Sequence, residues 1–156
     1  MLKLPKFLKP FFVKNKRLIR IGSEFDGGYV VLKDSHLITE LKLSSVRLID
    51  NALFPWVILI PKRKRVTDIH LLNSKDQKTL ITEIVYVSKI MKKTFKAFNI
   101  NVEKIGNIVP QLHIHVIART KKDKSWPLSV WVVKKKSYSN KKLAETINKL
   151  KKAFKV

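Results

Sequence analysis

Two hydrophobic periods organise the chain. Leu80, Ile84, Val87, Met91, Phe95 and Phe98 recur at spacings of three and four, which is one face of an α-helix. Ser74 and Gln77 form a capping box at its start, and Asp76 in the first turn complements the helix dipole. The other period is two. From Gln111 to Val116 polar and apolar residues alternate, which predicts a strand with one buried face. Val46 to Asp50 and Pro55 to Pro61 are β-rich runs split by Asn51 to Phe54, and they predict adjacent antiparallel strands. Asn99 to Glu103 predicts another strand, followed by a Gly106-Asn107 turn. Trp126-Pro127 breaks the chain, and Ser129 to Lys134 predicts a last strand. Asn140 caps a C-terminal helix with Leu143, Ile147, Leu150 and Phe154 on one face and Lys elsewhere. Upstream, Asp26-Gly27-Gly28 is a turn feeding a short strand from Tyr29 to Leu32. Pro5 and Pro10 forbid a continuous helix in residues 1–21, which read as a basic arm. No internal repeat is present.

Composition bounds this picture. A chain of 156 residues fits one domain, and a hydrophobic fraction of 45% excludes disorder throughout. The absence of cysteine excludes disulfides, thiolate metal sites and a Cys nucleophile. The longest apolar run, Trp56 to Ile60, is far too short to span a membrane. The expected location is the cytoplasm.

Charge points towards polyanions, with qualification. Lys and Arg number 34 against 11 Asp and Glu, a formal net charge of +23. Residues 1–21 hold seven basic side chains and no acid, and residues 134–156 hold nine Lys and one Glu. The remaining segment is only moderately basic. Just six of the basic residues are Arg, the side chain that nucleic-acid readers favour for bidentate contacts. A Lys-heavy, Ala-poor composition is also what an AT-rich genome encodes, and a solvated Lys face needs no partner.

Candidate chemistry lies in the alternating strand. Gln111, His113 and His115 fall on one face, about 7 Å apart, with Leu112, Ile114 and Val116 behind them. Three readings stand. The first is a polar solvent face. The second is a metal site, which two histidines cannot complete and for which no acidic residue nearby in sequence offers a third ligand. The third is nucleophilic catalysis, because neutral imidazole attacks phosphorus at physiological pH. Of the other histidines, His70 just before the helix reads as structural and His36 as exposed.

The run Gln111-Leu-His113-Ile-His115-Val-Ile117, followed by Trp126-Pro127, resembles the signature of the histidine triad (HIT) superfamily. Trp56-Val-Ile-Leu-Ile-Pro61 is similar to the family's apolar strand ending in Pro, and the order of elements agrees. Asp50-Asn-Ala-Leu-Phe-Pro-Trp56 together with Gln in the first motif position is similar to a bacterial HIT subgroup. The resemblance covers about residues 30–133. It implies an α+β fold, with an antiparallel sheet of about five strands and one long helix, to which the C-terminal helix is added. The expected organisation is a basic extension at 1–28, a HIT-like domain at 29–133 and a Lys-rich helix or tail at 134–156.

The same resemblance implies a homodimer that binds nucleotides and acts as a nucleotidyl hydrolase or transferase through a nucleotidyl-histidine. His113 matches the nucleophile, His115 the third histidine, and Gln111 replaces the first. Asp50 or Asn51 matches the position that holds the ribose. Asn101 matches the Asn near the phosphate, and Gly106 and Asn107 match the turn whose backbone approaches it. No metal or cofactor is expected. Two departures bear on leaving-group chemistry: Ile108 stands where some members have a hydroxyl, and Trp56 where others have a fourth histidine. The alternative is a catalytically weak scaffold that binds nucleic acid or an anionic surface through its basic ends.

Overall fold

The structure is a computed structural model; it describes residues 35–107 and 109–156, and the backbone of Ile19–Arg20 and Tyr29–Val30. Two short strands, β1 (Ile19–Arg20) and β2 (Tyr29–Val30), pair antiparallel. The rest of the expected 1–28 extension, and the continuation of the second strand to Leu32, lie outside the described residues.

Five strands form the main sheet: β3 (Ser35–Glu40), β4 (Ser44–Ile49), β5 (Trp56–Pro61), β6 (Asn99–Glu103) and β7 (Ile114–Arg119). Their order is β3-β4-β5-β7-β6, and every neighbouring pair is antiparallel. This is the α+β architecture that the sequence predicts. The strands β5 and β7 are buried along their whole length, which explains why Trp56 to Ile60 reads as an unbroken apolar run. Strand β4 alternates buried and half-buried residues, as a strand with one inward face must. Strand β3 has no counterpart among the predicted elements. It is a sheet edge with a register shift between Leu37 and Thr39, and Arg47 tethers it by donating from Nε to Ser35 Oγ at 2.9 Å.

Two helices, α1 (Ser74–Phe95) and α2 (Asn140–Phe154), cover one face of the sheet. Leu80, Val87 and Met91 of α1 and Leu150 and Phe154 of α2 pack on Val46, Leu48, Val57, Leu59, Ile114 and Val116. The predicted faces are therefore the observed ones, with one exception. Helix α1 ends at Phe95, where Lys96 takes a left-handed conformation, and Phe98 lies beyond it, 56% exposed. The caps also shift. Asn73, not Ser74, caps α1 by accepting from the Asp76 N–H at 2.8 Å, and Ser139, not Asn140, caps α2. Asn and Ser are both good caps, so the competition was between neighbouring residues of similar chemistry.

The predicted last strand is absent. Ser129 caps a single 3-10 turn, Val130–Val132, instead. The segment pairs with neither edge strand and crosses the second face of the sheet instead. There Val130, 1% exposed, packs with Phe54, Trp56, Ile58, Ile60 and Ile117. A buried guanidinium pins the loop that leads to it. Arg119 donates to both Asp123 carboxylate oxygens at 2.8 and 3.0 Å and to the Leu128 carbonyl at 2.8 Å. Burial alone would raise the Asp123 pKa, but hydrogen bonds from Arg119, Ser125 and Thr120 outweigh it and lower it. No helix among the described residues is long and apolar enough to cross a membrane.

Candidate active site

Strand β7 begins at Ile114, later than the alternation predicted, so Gln111 and His113 belong to the segment leading into it. That segment is anchored by the Leu112 N–H, which donates to the Val66 carbonyl at 2.8 Å. Leu112, Ile114 and Val116 enter the helix-side core, as predicted, and this sends His113 and His115 to the opposite face.

The two imidazoles meet edge to face, with ring centroids 4.9 Å apart. They are held differently. His113 is half-buried, and its Nδ1 lies 2.7 Å from the backbone carbonyl oxygen of Gln111. A carbonyl only accepts, so Nδ1 carries the proton and Nε2 keeps its lone pair. Burial, and secondarily the Lys104 charge, lower the His113 pKa against the opposing pull of the Gln111 and Ile105 backbone. His113 is therefore neutral at physiological pH. His115 is 4% exposed, and burial and the neighbouring His113 push its pKa down to about 3. Its Nδ1 accepts from the Trp56 indole N–H at 3.1 Å, while its buried Nε2 has no hydrogen-bond partner.

Gln111 acts through its backbone more than its side chain. The side chain is fully buried and turns away to the Arg63 carbonyl, to which Nε2 donates over a long 3.5 Å. The Gln111 amide is thus engaged with the Arg63 backbone, while the two imidazoles contact each other.

Other predicted residues distribute along the sheet. Glu103 is the cross-strand partner of His115 and Asn101 that of Ile117, so both lie on the histidine face of β6. The Asn101 amide donates to Glu103 Oε1 at 3.4 Å. Gly106 and Asn107 follow β6, and a Cβ at Gly106 would come 3.4 Å from Lys104 Nζ. Asp50 and Asn51 follow β4 at the Trp56 end of β5, whereas His113 precedes β7 at the Leu59 end. Asp50 accepts from the Tyr138 N–H at 2.8 Å, and Asn51 closes its own turn by accepting from the Leu53 N–H at 3.1 Å. Burial would raise the Asp50 pKa, but hydrogen bonds from Tyr138 and Ser137 and the Lys135 charge lower it.

Trp131 was not foreseen. It stands edge-on to Trp56 at 4.8 Å and to His115 at 5.2 Å, and its indole N–H donates to Glu103 Oε2 at 2.6 Å. The only hint in the sequence was a tryptophan four residues beyond Trp126-Pro127. His70, expected to be structural, is exposed instead, on a cleft of about 480 Å³ with Asp68, Ile69, Gln77 and Lys104. His36 is half-buried on β3, not exposed. Among the described residues no group of three or more His, Asp or Glu is placed to hold a metal ion.

A pair of histidines at the start of a central strand, on a five-stranded antiparallel sheet backed by a long helix, defines a class of protein. The HIT domain family matches residues 32–122 of this chain. Three solved structures carry the likeness further. A histidine triad protein from Bradyrhizobium japonicum is 36% identical, covers 78% of this chain and 92% of its own, and superposes with a TM-score of 0.75. One from Sinorhizobium meliloti 1021 is 33% identical over 78% of this chain and 91% of its own, with a TM-score of 0.75. One from Marinobacter aquaeolei VT8 is 33% identical over 80% of this chain and 91% of its own, with a TM-score of 0.76. Among curated protein sequences none matches. This chain belongs to the HIT domain family.

Proposed function

We propose that this HIT protein binds nucleotides and transfers or hydrolyses nucleotidyl groups through a covalent nucleotidyl-His113 intermediate. The observation that carries the reading is the hydrogen bond from His113 Nδ1–H to the Gln111 carbonyl at 2.7 Å. It leaves Nε2 as a fixed, neutral nucleophile on a half-buried ring. The Nε2 lone pair attacks the α-phosphorus of a nucleoside phosphate derivative. A P–N bond forms, the bond to the leaving group breaks, and the leaving group departs with the electron pair. Water then attacks the same phosphorus, the P–N bond breaks, and His113 is restored with release of the nucleoside monophosphate. The backbone of Gly106 and Asn107 and the Asn101 amide supply donors for the phosphoryl oxygens, and Asp50 or Asn51 holds the ribose. No side chain is assigned as acid to the leaving group, which takes its proton from solvent. Hydrolysis of an adenylated amine by the purified protein, abolished in His113→Ala with the fold retained, supports this reading; undiminished turnover in that variant overturns it.

The second reading, a polyanion-binding scaffold, rests on the lysines of the helix ends. Lys92, Lys93 and Lys96 close α1, and Lys151, Lys152 and Lys155 close α2, all exposed. The apolar face of α2 is spent on the core, so insertion of this helix into an anionic membrane loses its basis, and nucleic acid remains the polyanion of choice. A homodimer belongs to the same proposal. Ile81 and Val85, one turn apart on α1, form an exposed apolar pair that a second copy would cover.

A further inference from the structure

We propose that Trp56 is a positioning residue of the histidine pair: its indole N–H fixes the tautomer of His115 and makes that imidazole a one-way hydrogen-bond donor. An indole N–H donates and never accepts. In the 3.1 Å bond between Trp56 Nε1 and His115 Nδ1, the imidazole must therefore present its lone pair. Its single ring proton then sits on Nε2. That atom is buried and makes no hydrogen bond of normal geometry, although the Ile105 backbone pulls on the imidazole and favours its protonated form. The His113 ring lies 4.9 Å away, and an oxyanion held at His113, such as a phosphoryl oxygen, is the acceptor we assign to this donor.

The chemistry at position 56 explains the choice of residue. A histidine there could donate or accept and would itself titrate, so the tautomer of His115 would follow pH. An indole has neither freedom. Surrounding groups reinforce the assignment. From β5 His115 meets Trp56 and Ile58, and from its own segment His113. From β6 its cross-strand partner is Glu103, a carboxylate. Both oxygens of Glu103 are engaged, Oε2 by the Trp131 indole at 2.6 Å and Oε1 by Asn101 at 3.4 Å. The Lys104 charge acts on His113.

The tautomer claim stands without the nucleotidyl-transfer reading; only its use by a phosphoryl oxygen rests on that reading. Side-chain ¹⁵N NMR of the histidines in the full-length protein tests it. In the wild type, His115 should show unprotonated Nδ1 and protonated Nε2, unchanged from about pH 5.5 to about pH 8. Trp56→Phe keeps an aromatic ring and deletes the donor. It should give a mixed tautomer at His115 and lower kcat on an adenylated amine about ten-fold, with KM changed less than about two-fold. Trp131→Phe, which keeps the Trp56 bond, should retain the wild-type tautomer. A wild-type spectrum with the proton on Nδ1 overturns the assignment with no variant needed. So does a Trp56→Phe spectrum identical to wild type, or the same tautomer change in Trp131→Phe. The expected tautomer changes in a protein that turns over no nucleotide would uphold the Trp56 assignment and remove the nucleotidyl-transfer reading.

Discussion

His113 and His115 have the same side chain and opposite proton placements, and one hydrogen bond decides each. The Gln111 carbonyl puts the proton of His113 on Nδ1; the Trp56 indole puts that of His115 on Nε2. The motif spacing made the pair visible in the sequence, because alternation along a strand needs no tertiary information. The partners were not visible. A backbone carbonyl two residues away and an indole 59 residues away are set by the chain path. Two pH effects follow. Burial lowers the His113 pKa, so kcat/KM on an adenylated amine should rise with pH through that lowered pKa and level off at a lower pH than for a free imidazole. A profile that falls as pH rises from about 6 to 8 would contradict a neutral nucleophile. For His115 the folded-state pKa, about 3, lies below the unfolded value of about 6.5. The unfolded chain then binds the extra proton between these values, so this group makes stability fall as pH falls through that window. Its slope is up to about 1.4 kcal/mol per pH unit. Urea denaturation at several pH values should show a shallower acid loss in His115→Gln than in the wild type.

Helix α2 turned from an expected tail into part of the core. Its apolar spacing was legible, and so was its Lys-rich outer face, but periodicity cannot say what an amphipathic face meets. The sheet supplies the answer through Leu150 and Phe154. Leu150→Ala should cost about 2–5 kcal/mol in urea denaturation, the usual range for emptying a core leucine site; a change below about 0.5 kcal/mol would return α2 to the status of a loose appendage. Strand β3 and the 130–132 turn were misread for related reasons. Ser35–Glu40 is an edge strand whose polar residues blur the alternation. Ser129 to Lys134 has strand-like composition, but its apolar residue Val130 is buried across the second face of the sheet rather than in a strand pairing. Its position depends on the Arg119–Asp123 ion pair, which composition cannot reveal. Asp123→Ala leaves the guanidinium buried and unpaired and should destabilise by about 3–5 kcal/mol, read by the same urea titration.

The basic charge is a property of the surface that surrounds this scaffold. Both helix ends carry it, at the negative end of each helix dipole, where lysines stabilise the helices whether or not they bind anything. Net charge therefore gave little purchase on function, whereas two histidines and an element order led to the family. The proposed homodimer would cover Ile81 and Val85, which are exposed on α1. Light scattering coupled to size exclusion should report twice the chain mass, and Ile81→Lys combined with Val85→Lys should halve it; a monomeric wild type would contradict the dimer.

The atom on which the proposed activity depends is Nε2 of His113. Mixing the protein with an adenylated amine, denaturing within the first turnover under alkaline conditions and reading the intact mass tests that atom. The account predicts a mass gain of one adenylyl group, localised to His113 by peptide mapping and missing from His113→Ala. An adduct that persists in that variant, or turnover with no adduct at His113 at any time, would contradict it.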